Sequence, residues 1–212
     1  MLRLLLLLAA LALAPSPPSA QVVDNGTIPP NSLAEKSRVR IETSAGPITV
    51  EVDVRHAPVT AKNFLRYVDA RRYDGAVFYR ALKLLPDGSA GLVQGGIRDA
   101  RKLYPAIRHE PTTETGLTHD DGAISMARAA PGSAQADFFL IVGKVPSLDA
   151  DAKTSGDNQG FAAFGHVVDG METVRKILGQ PTDPNRGEGV MKGQMLTEPV
   201  KIISARRDGE GV

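Results

Sequence analysis

From Arg38 onward the chain alternates. Val39, Ile41 and Thr43 occupy one parity, Arg38, Arg40 and Glu42 the other. After Ala45-Gly46-Pro47 the pattern resumes, with Ile48, Val50, Val52 and Val54 alternating with Thr49, Glu51 and Asp53. A period of two with one apolar face predicts half-buried strands, and the short turn joins them as a hairpin. Over Pro58–Ala70 the period changes: Ala61, Phe64, Leu65 and Val68 recur at helical spacing, and Pro58 suits a first helical turn. Short apolar runs follow at Ala76–Leu82, Leu92–Gln94, Ala123–Ala127, Phe138–Val142 and Phe161–Val168, each bounded by Gly, Pro or Asp and each read as a strand. A second helix is predicted over Met171–Leu178, with Asp169 as its cap and Gly179 and Pro181 ending it. Thr182–Glu198 reads as loop and Val200–Ala205 as a closing strand.

Strands that do not alternate regularly with helices argue against a parallel α/β sheet. They favour a mainly β architecture, an antiparallel barrel or sandwich with two helices over its open ends. Ahead of it, Met1–Ala20 reads as a secretory signal. Arg3 supplies the positive start, and Leu4–Ala14 is an unbroken apolar run followed by Pro15, Pro17 and Pro18. That run is shorter than the ~20 apolar residues of a membrane span, so no stable membrane anchor is expected. Cleavage near Ala20 would place the mature chain in the periplasm or outside the cell. Residues 21–37, with Pro29-Pro30, read as an extended arm, leaving 38–212 as one folded domain.

Composition narrows the chemistry. The 212 residues include no cysteine, so a thiol nucleophile, a disulfide framework and a thiolate zinc site are excluded. With 25 Lys+Arg against 24 Asp+Glu there is no basic field for nucleic acid. Gly132-Ser133-Ala134-Gln135-Ala136 lacks the second glycine of a hydrolase elbow. Gln94-Gly95-Gly96 lacks the spacing and the following helix of a phosphate cradle. His109, Glu110, His119, Asp120 and Asp121 show no metal-ligand spacing and read as solvated loop residues. There remains Phe78-Tyr79-Arg80, in which strand parity places Phe78 and Arg80 on one face. On the residues alone, Arg80 reads as an exposed strand arginine.

Taken together, the motifs resemble the cyclophilins, the peptidyl-prolyl cis–trans isomerases. Thr43–Ile48 is similar to the family's first hairpin and Ala57–Phe64 to its first helix. Tyr73-Asp74-Gly75 leads into Phe78-Tyr79-Arg80, and Gln94-Gly95-Gly96 matches unchanged. Ile124–Arg128 and Asp137–Leu140 resemble the two strands lining the proline pocket, and Phe164–Val167 with Gly170-Met171 the strand and helix beyond. The resemblance covers about Arg38 to Ala205. It implies a closed eight-stranded antiparallel β-barrel capped by two α-helices, with a surface groove as the active site. It implies proline-containing polypeptides as substrates, a monomer, and no cofactor or metal. Arg80 would stabilise the twisted amide, and Gln94 would position the substrate carbonyl and Arg80. Phe78, Leu92, Met126, Ala127, Arg128, Asp137, Phe139, Leu148 and Phe161 would line the substrate site.

The chain departs from the family pattern in four places. The connection Ala81–Val93 is longer, and the usual Phe-Met pair becomes Gly91-Leu92, so a pocket wall is either missing or supplied by Leu84 or Leu85 folding back. Asp137 replaces a common Gln and could pair with Arg80 or Arg128. Phe161 replaces a His. The absence of tryptophan implies weak ciclosporin sensitivity. The altered 81–93 connection and Asp137 motivate the alternative function, a catalytically weak proline-binding scaffold or chaperone on the same barrel.

Overall fold

The structure, a computed structural model, describes residues 36–153 and 156–208. The signal reading of Met1–Ala20 and all but the end of the 21–37 arm lie outside the described residues. Among the described residues nine strands form one antiparallel sheet: β1 (Lys36–Thr43), β2 (Gly46–Asp53), β3 (Val77–Lys83), β4 (Gly91–Gly96), β5 (Ala123–Met126), β6 (Phe138–Val142), β7 (Ala162–Asp169), β8 (Thr182–Asp183) and β9 (Met195–Arg207). Their order is β1-β2-β7-β5-β6-β4-β3-β9, and β1 pairs with β9, so eight strands close on themselves. The two-residue β8 adds to the start of β9. Closure leaves no exposed sheet edge among the eight.

The β1–β2 turn needs two residues, and Gly46 resumes the strand at φ +136°, where a side chain would be strained and would meet Thr173. Helix α1 (Pro58–Asp69) sends Phe64, Leu65, Tyr67 and Val68 into the core, where Phe64 meets Tyr73, Phe138 and Phe164 at ring-centre distances of 5.3–5.4 Å. A second helix, α2 (Thr112–Thr115), is a single turn that the sequence pattern did not signal. Helix α3 (Met171–Leu178) buries Val174, Ile177 and Leu178 in the same core. It touches β2, β3, β4 and β6, strands from opposite sides of the ring, as a helix lying over a barrel opening must. Asp169 does not cap it: that residue ends β7, and Gly170 at φ +87° takes the cap position against the backbone of Pro47 and Ile48. The barrel centre is packed with side chains from Val39, Ile41, Val50, Val93, Ile124 and Leu140, so no channel runs through it.

Two loop readings change. The closing strand begins at Met195, five residues earlier than the apolar run suggested. His109, Glu110 and His119 are buried rather than solvated. Glu110 lies across the start of α1 and accepts from the Val59 N–H (3.0 Å), the Thr60 N–H (2.7 Å) and the Thr60 hydroxyl (2.7 Å). Ala57, at the cap position, has no side chain to do this, so a carboxylate fifty residues away supplies the cap.

Candidate active site

Arg80 lies on β3 between two glutamines. In register it faces Gln94 of β4 on one side and Met195 of β9 on the other. Its Nη1 donates to Gln94 Oε1 (2.7 Å) and its Nε to Gln194 Oε1 (2.8 Å). Gln194 is itself held, its Nε2 donating to the Val190 carbonyl (2.6 Å) and its own carbonyl accepting from the Ala81 N–H (3.0 Å). Burial pulls the Arg80 pKa below the ordinary guanidinium value, yet a guanidinium remains charged throughout the physiological range. Two of its five N–H groups are therefore committed, one on each side, and the rest have no acceptor among the described residues.

Phe78 is not on this face. The register of β3 shifts between Phe78 and Arg80 against both neighbours: against β4 Tyr79 is an extra residue, whereas against β9 the excess, residues 196–199, lies on β9. Such a bulge re-aims the side chains that follow it. Phe78 and Ala81 turn into the core, Phe78 edge-on to Phe138, while Tyr79 and Arg80 both turn out to Gln94. Strand parity alone could not have found this. Met126 is the second correction. It pairs with Phe138, shares its inward face and is packed in the barrel core, so it is no wall of an outer groove.

The remaining predicted residues gather on the outer face. Leu92, Phe139, Ile141, Val145 and Ala123 form a separate apolar cluster, with Leu82, Ala127, Leu148 and Phe161 packed against it. Gln94 pairs with Phe139 across β4 and β6, so the cluster begins beside the arginine. Phe161 stands edge-on to Phe139 with ring centres 5.4 Å apart. The Phe161 N–H bonds the Leu148 carbonyl (2.9 Å), which ties these two walls together. Arg128 covers Phe161, its guanidinium 5.1 Å from the ring centre, and pairs in bidentate fashion with Asp157 at 2.8 Å. This fork holds the Asp157 carboxyl down at about 2. The longer connection proves to be a longer hairpin: β3 and β4 pair out to Lys83 and Gly91. Leu82 thereby reaches the cluster, whereas Leu84 and Leu85 stay about half exposed and do not fold back.

Asp137 pairs with neither Arg80 nor Arg128. Its Oδ2 accepts from the Tyr79 hydroxyl (2.6 Å), and Arg98 approaches it at 3.6 Å. Burial raises its pKa above the ordinary carboxylate value, opposed by the Tyr79 bond and the Arg98 charge. The same Tyr79 oxygen accepts from Gln94 Nε2 (2.7 Å). Sequence reasoning therefore missed Tyr79 and Gln194, each by its dependence on a distant partner. It also missed His119, which lies under the cluster. The ring of His119 stacks on Phe139 (6.0 Å between centres) while bonding Asp149 (2.6 Å) and Ser125 (2.9 Å). Among the described residues no His, Asp and Glu gather as a metal-holding group.

Residues 38–207 match the family described as cyclophilin type peptidyl-prolyl cis-trans isomerase/CLD. A peptidyl-prolyl cis-trans isomerase of Streptomyces antibioticus is 35% identical over 176 residues, covering 80% of this chain and 98% of that protein. Peptidyl-prolyl cis-trans isomerase A of Dickeya dadantii is 34% identical over 182 residues, covering 82% and 89% respectively. A crystal structure of a cyclophilin type isomerase from Cryptosporidium parvum shares the fold, with a TM-score of 0.64 at 21% identity over 83% of this chain and 99% of that one. A closed antiparallel barrel with this outer arginine, glutamine and apolar cluster, matched along nearly the whole described chain, makes the protein a member of the cyclophilin family of peptidyl-prolyl cis–trans isomerases.

Proposed function

We propose that the isomerase acts on X-Pro bonds of exported polypeptides, as a monomer in the periplasm or outside the cell, with Arg80 as its catalytic residue. Amide resonance sets a barrier of ~18–20 kcal/mol to rotation, although the two planar forms differ by only ~0.5–1 kcal/mol at proline. No bond need break. The catalyst must favour the twisted amide over both planar ones. Twisting removes the resonance and returns a lone pair to the prolyl nitrogen. A fixed cation that donates to that nitrogen stabilises the twisted state selectively, and more strongly where water is partly excluded.

The observation that carries this reading is the clamp on Arg80. Two glutamine carbonyl oxygens, on opposite sides, hold the fork and leave its other donors available. The adjoining cluster of Leu92, Phe139, Leu148 and Phe161 offers the proline ring an apolar seat, with Ala127 and Leu82 beside it. Export rests on the apolar run Leu4–Ala14 and the small residue at Ala20.

The test is catalysis of cis–trans exchange in a short Ala-Pro peptide. Arg80→Ala should lower kcat/KM at least ~100-fold, the scale for losing one preorganised transition-state donor, with the circular dichroism spectrum unchanged. Arg80→Lys should recover little, since an ammonium cannot keep both glutamine contacts and still donate from a planar fork. Near wild-type activity in Arg80→Ala would show that the cation is not the catalytic group.

A further inference from the structure

We infer that Tyr79 and Asp137 are positioning residues that fix the side-chain amide of Gln94, and through it Arg80, by a hydrogen-bond relay of fixed polarity. The relay rests on the assignment of Arg80 as the catalytic residue. It runs Asp137–Tyr79–Gln94–Arg80, with successive contacts of 2.6, 2.7 and 2.7 Å.

The polarity follows from the inventory of donors. An ionised carboxylate only accepts, so the single Tyr79 hydroxyl proton points to Asp137. The Tyr79 oxygen can then only accept from Gln94, and that requires the Nε2 end of the amide. Oε1 is thereby turned to the Arg80 guanidinium, which only donates. The opposite amide orientation would set N–H against N–H at Arg80. Take away the acceptor at Asp137, and the hydroxyl proton is free to turn toward Gln94. Both amide orientations then become available, one of which repels the arginine.

The start of the relay is itself fixed. Asp137 packs against Gly96, where any Cβ would collide with its carboxylate and main chain. Arg98 lies over the Tyr79 ring at 4.6 Å, so it faces both members of the pair. Tyr79 from β3 and Arg98 from the segment after β4 contact this carboxylate, and the buried Tyr73 phenol feels its charge; Arg80 and the neutral Gln94 reach it only through Tyr79. The raised carboxyl pKa of Asp137 places loss of the relay above the ordinary carboxylate value of ~3.9 as pH falls.

The experiment is the pH profile of kcat and KM on an uncharged Ala-Pro peptide for wild type, Tyr79→Phe, Asp137→Asn and Arg80→Ala, with folding followed by circular dichroism at each pH. Wild type should lose activity at acid pH while it stays folded, the loss beginning above the pH at which an ordinary carboxylate takes up its proton. Tyr79→Phe should lower kcat about 3- to 10-fold at neutral pH, the scale of one net hydrogen bond, with KM nearly unchanged and the acid limb gone. Asp137→Asn, like the protonated acid, offers the hydroxyl both a donor and an acceptor, so it should show the lowered kcat of the acid limb at every pH and lack the limb itself. Tyr79→Phe with wild-type kcat and an intact acid limb, beside an inactive Arg80→Ala, would overturn the relay alone. A lowered kcat with the acid limb intact would also overturn it, by showing a role in packing only. Full activity of Arg80→Ala would remove the arginine assignment and the relay with it.

Discussion

Removing the Glu110 side chain should destabilise the domain without touching its chemistry. The carboxylate is almost fully buried and accepts three hydrogen bonds at 2.7–3.0 Å from the first turn of α1. Hydrogen bonds to a charged group contribute ~1.5–3 kcal/mol each, but bonds to one carboxylate are not additive. Thr60 is fully buried, so in Glu110→Ala its N–H and hydroxyl lose their partner at a site shielded from bulk solvent. An N-cap lost from an exposed helix costs ~0.5–2 kcal/mol, and the buried donors add to that. We expect about 3–4 kcal/mol, a large fraction of the ~5–15 kcal/mol that holds a domain together. Urea unfolding followed by circular dichroism reads it directly: with a slope near ~2 kcal/mol/M the midpoint should fall by about 1.5–2 M. Glu110→Gln keeps one acceptor oxygen and should lose roughly half as much. Peptide isomerisation per folded molecule should not change in either variant, because Glu110 touches no residue of the arginine clamp. A midpoint shift below ~0.5 M for Glu110→Ala would refute the reasoning, since the cap would then be replaceable by solvent.

Two further outcomes are expected. Burial lowers the His119 pKa in spite of the opposing Asp149 bond, so the folded protein binds this proton less readily than the unfolded chain. Stability from this group is therefore full above the unfolded value of ~6.5 and is lost as pH falls below it, until the folded histidine also protonates. Melting temperatures at pH ~7.5 and ~5.5 should differ more in wild type than in His119→Gln, and equal differences would remove the histidine from the account. For export, N-terminal sequencing from the native host should find a start near Gln21; a start at Met1 in a membrane fraction would exclude a cleaved signal.

Elements whose signal is local were readable from the chain. The parity of Val39, Ile41, Ile48, Val50 and Val52 gave the first hairpin, and the spacing of Ala61, Phe64, Leu65 and Val68 gave α1. What was not readable depends on partners far along the chain. Glu110 looks like a loop acid until α1 is placed beside it, and His119 until Phe139 and Asp149 are. Tyr79 reads as the idle parity of β3 because nothing in the sequence announces a bulge; the insertion is visible only as a register shift against β4. Phe78 and Met126 were misplaced for related reasons. One was assigned by parity through that bulge. The other was carried over from the resemblance, although its cross-strand neighbour Phe138 faces inward. Leu92, Phe139, Leu148 and Phe161 are far apart in sequence, yet the fold packs them together.

The pairing of β1 with β9 has a consequence for the order in which the chain can become active. The ring joins residues 39–43 to residues 202–207, so the first strand waits unpartnered on one side until residues 202–207 are available. Contacts of such long sequence separation form slowly, because the intervening chain must be ordered before they stabilise anything. Gln194, which clamps Arg80, stands immediately ahead of that final strand. A chain emerging from its N-terminus can thus carry Arg80, Gln94 and Phe139 and still lack half of the arginine's clamp. With Arg80 in its proposed role, catalytic competence would arrive with closure, and a product truncated before Gln194 should lose both at once.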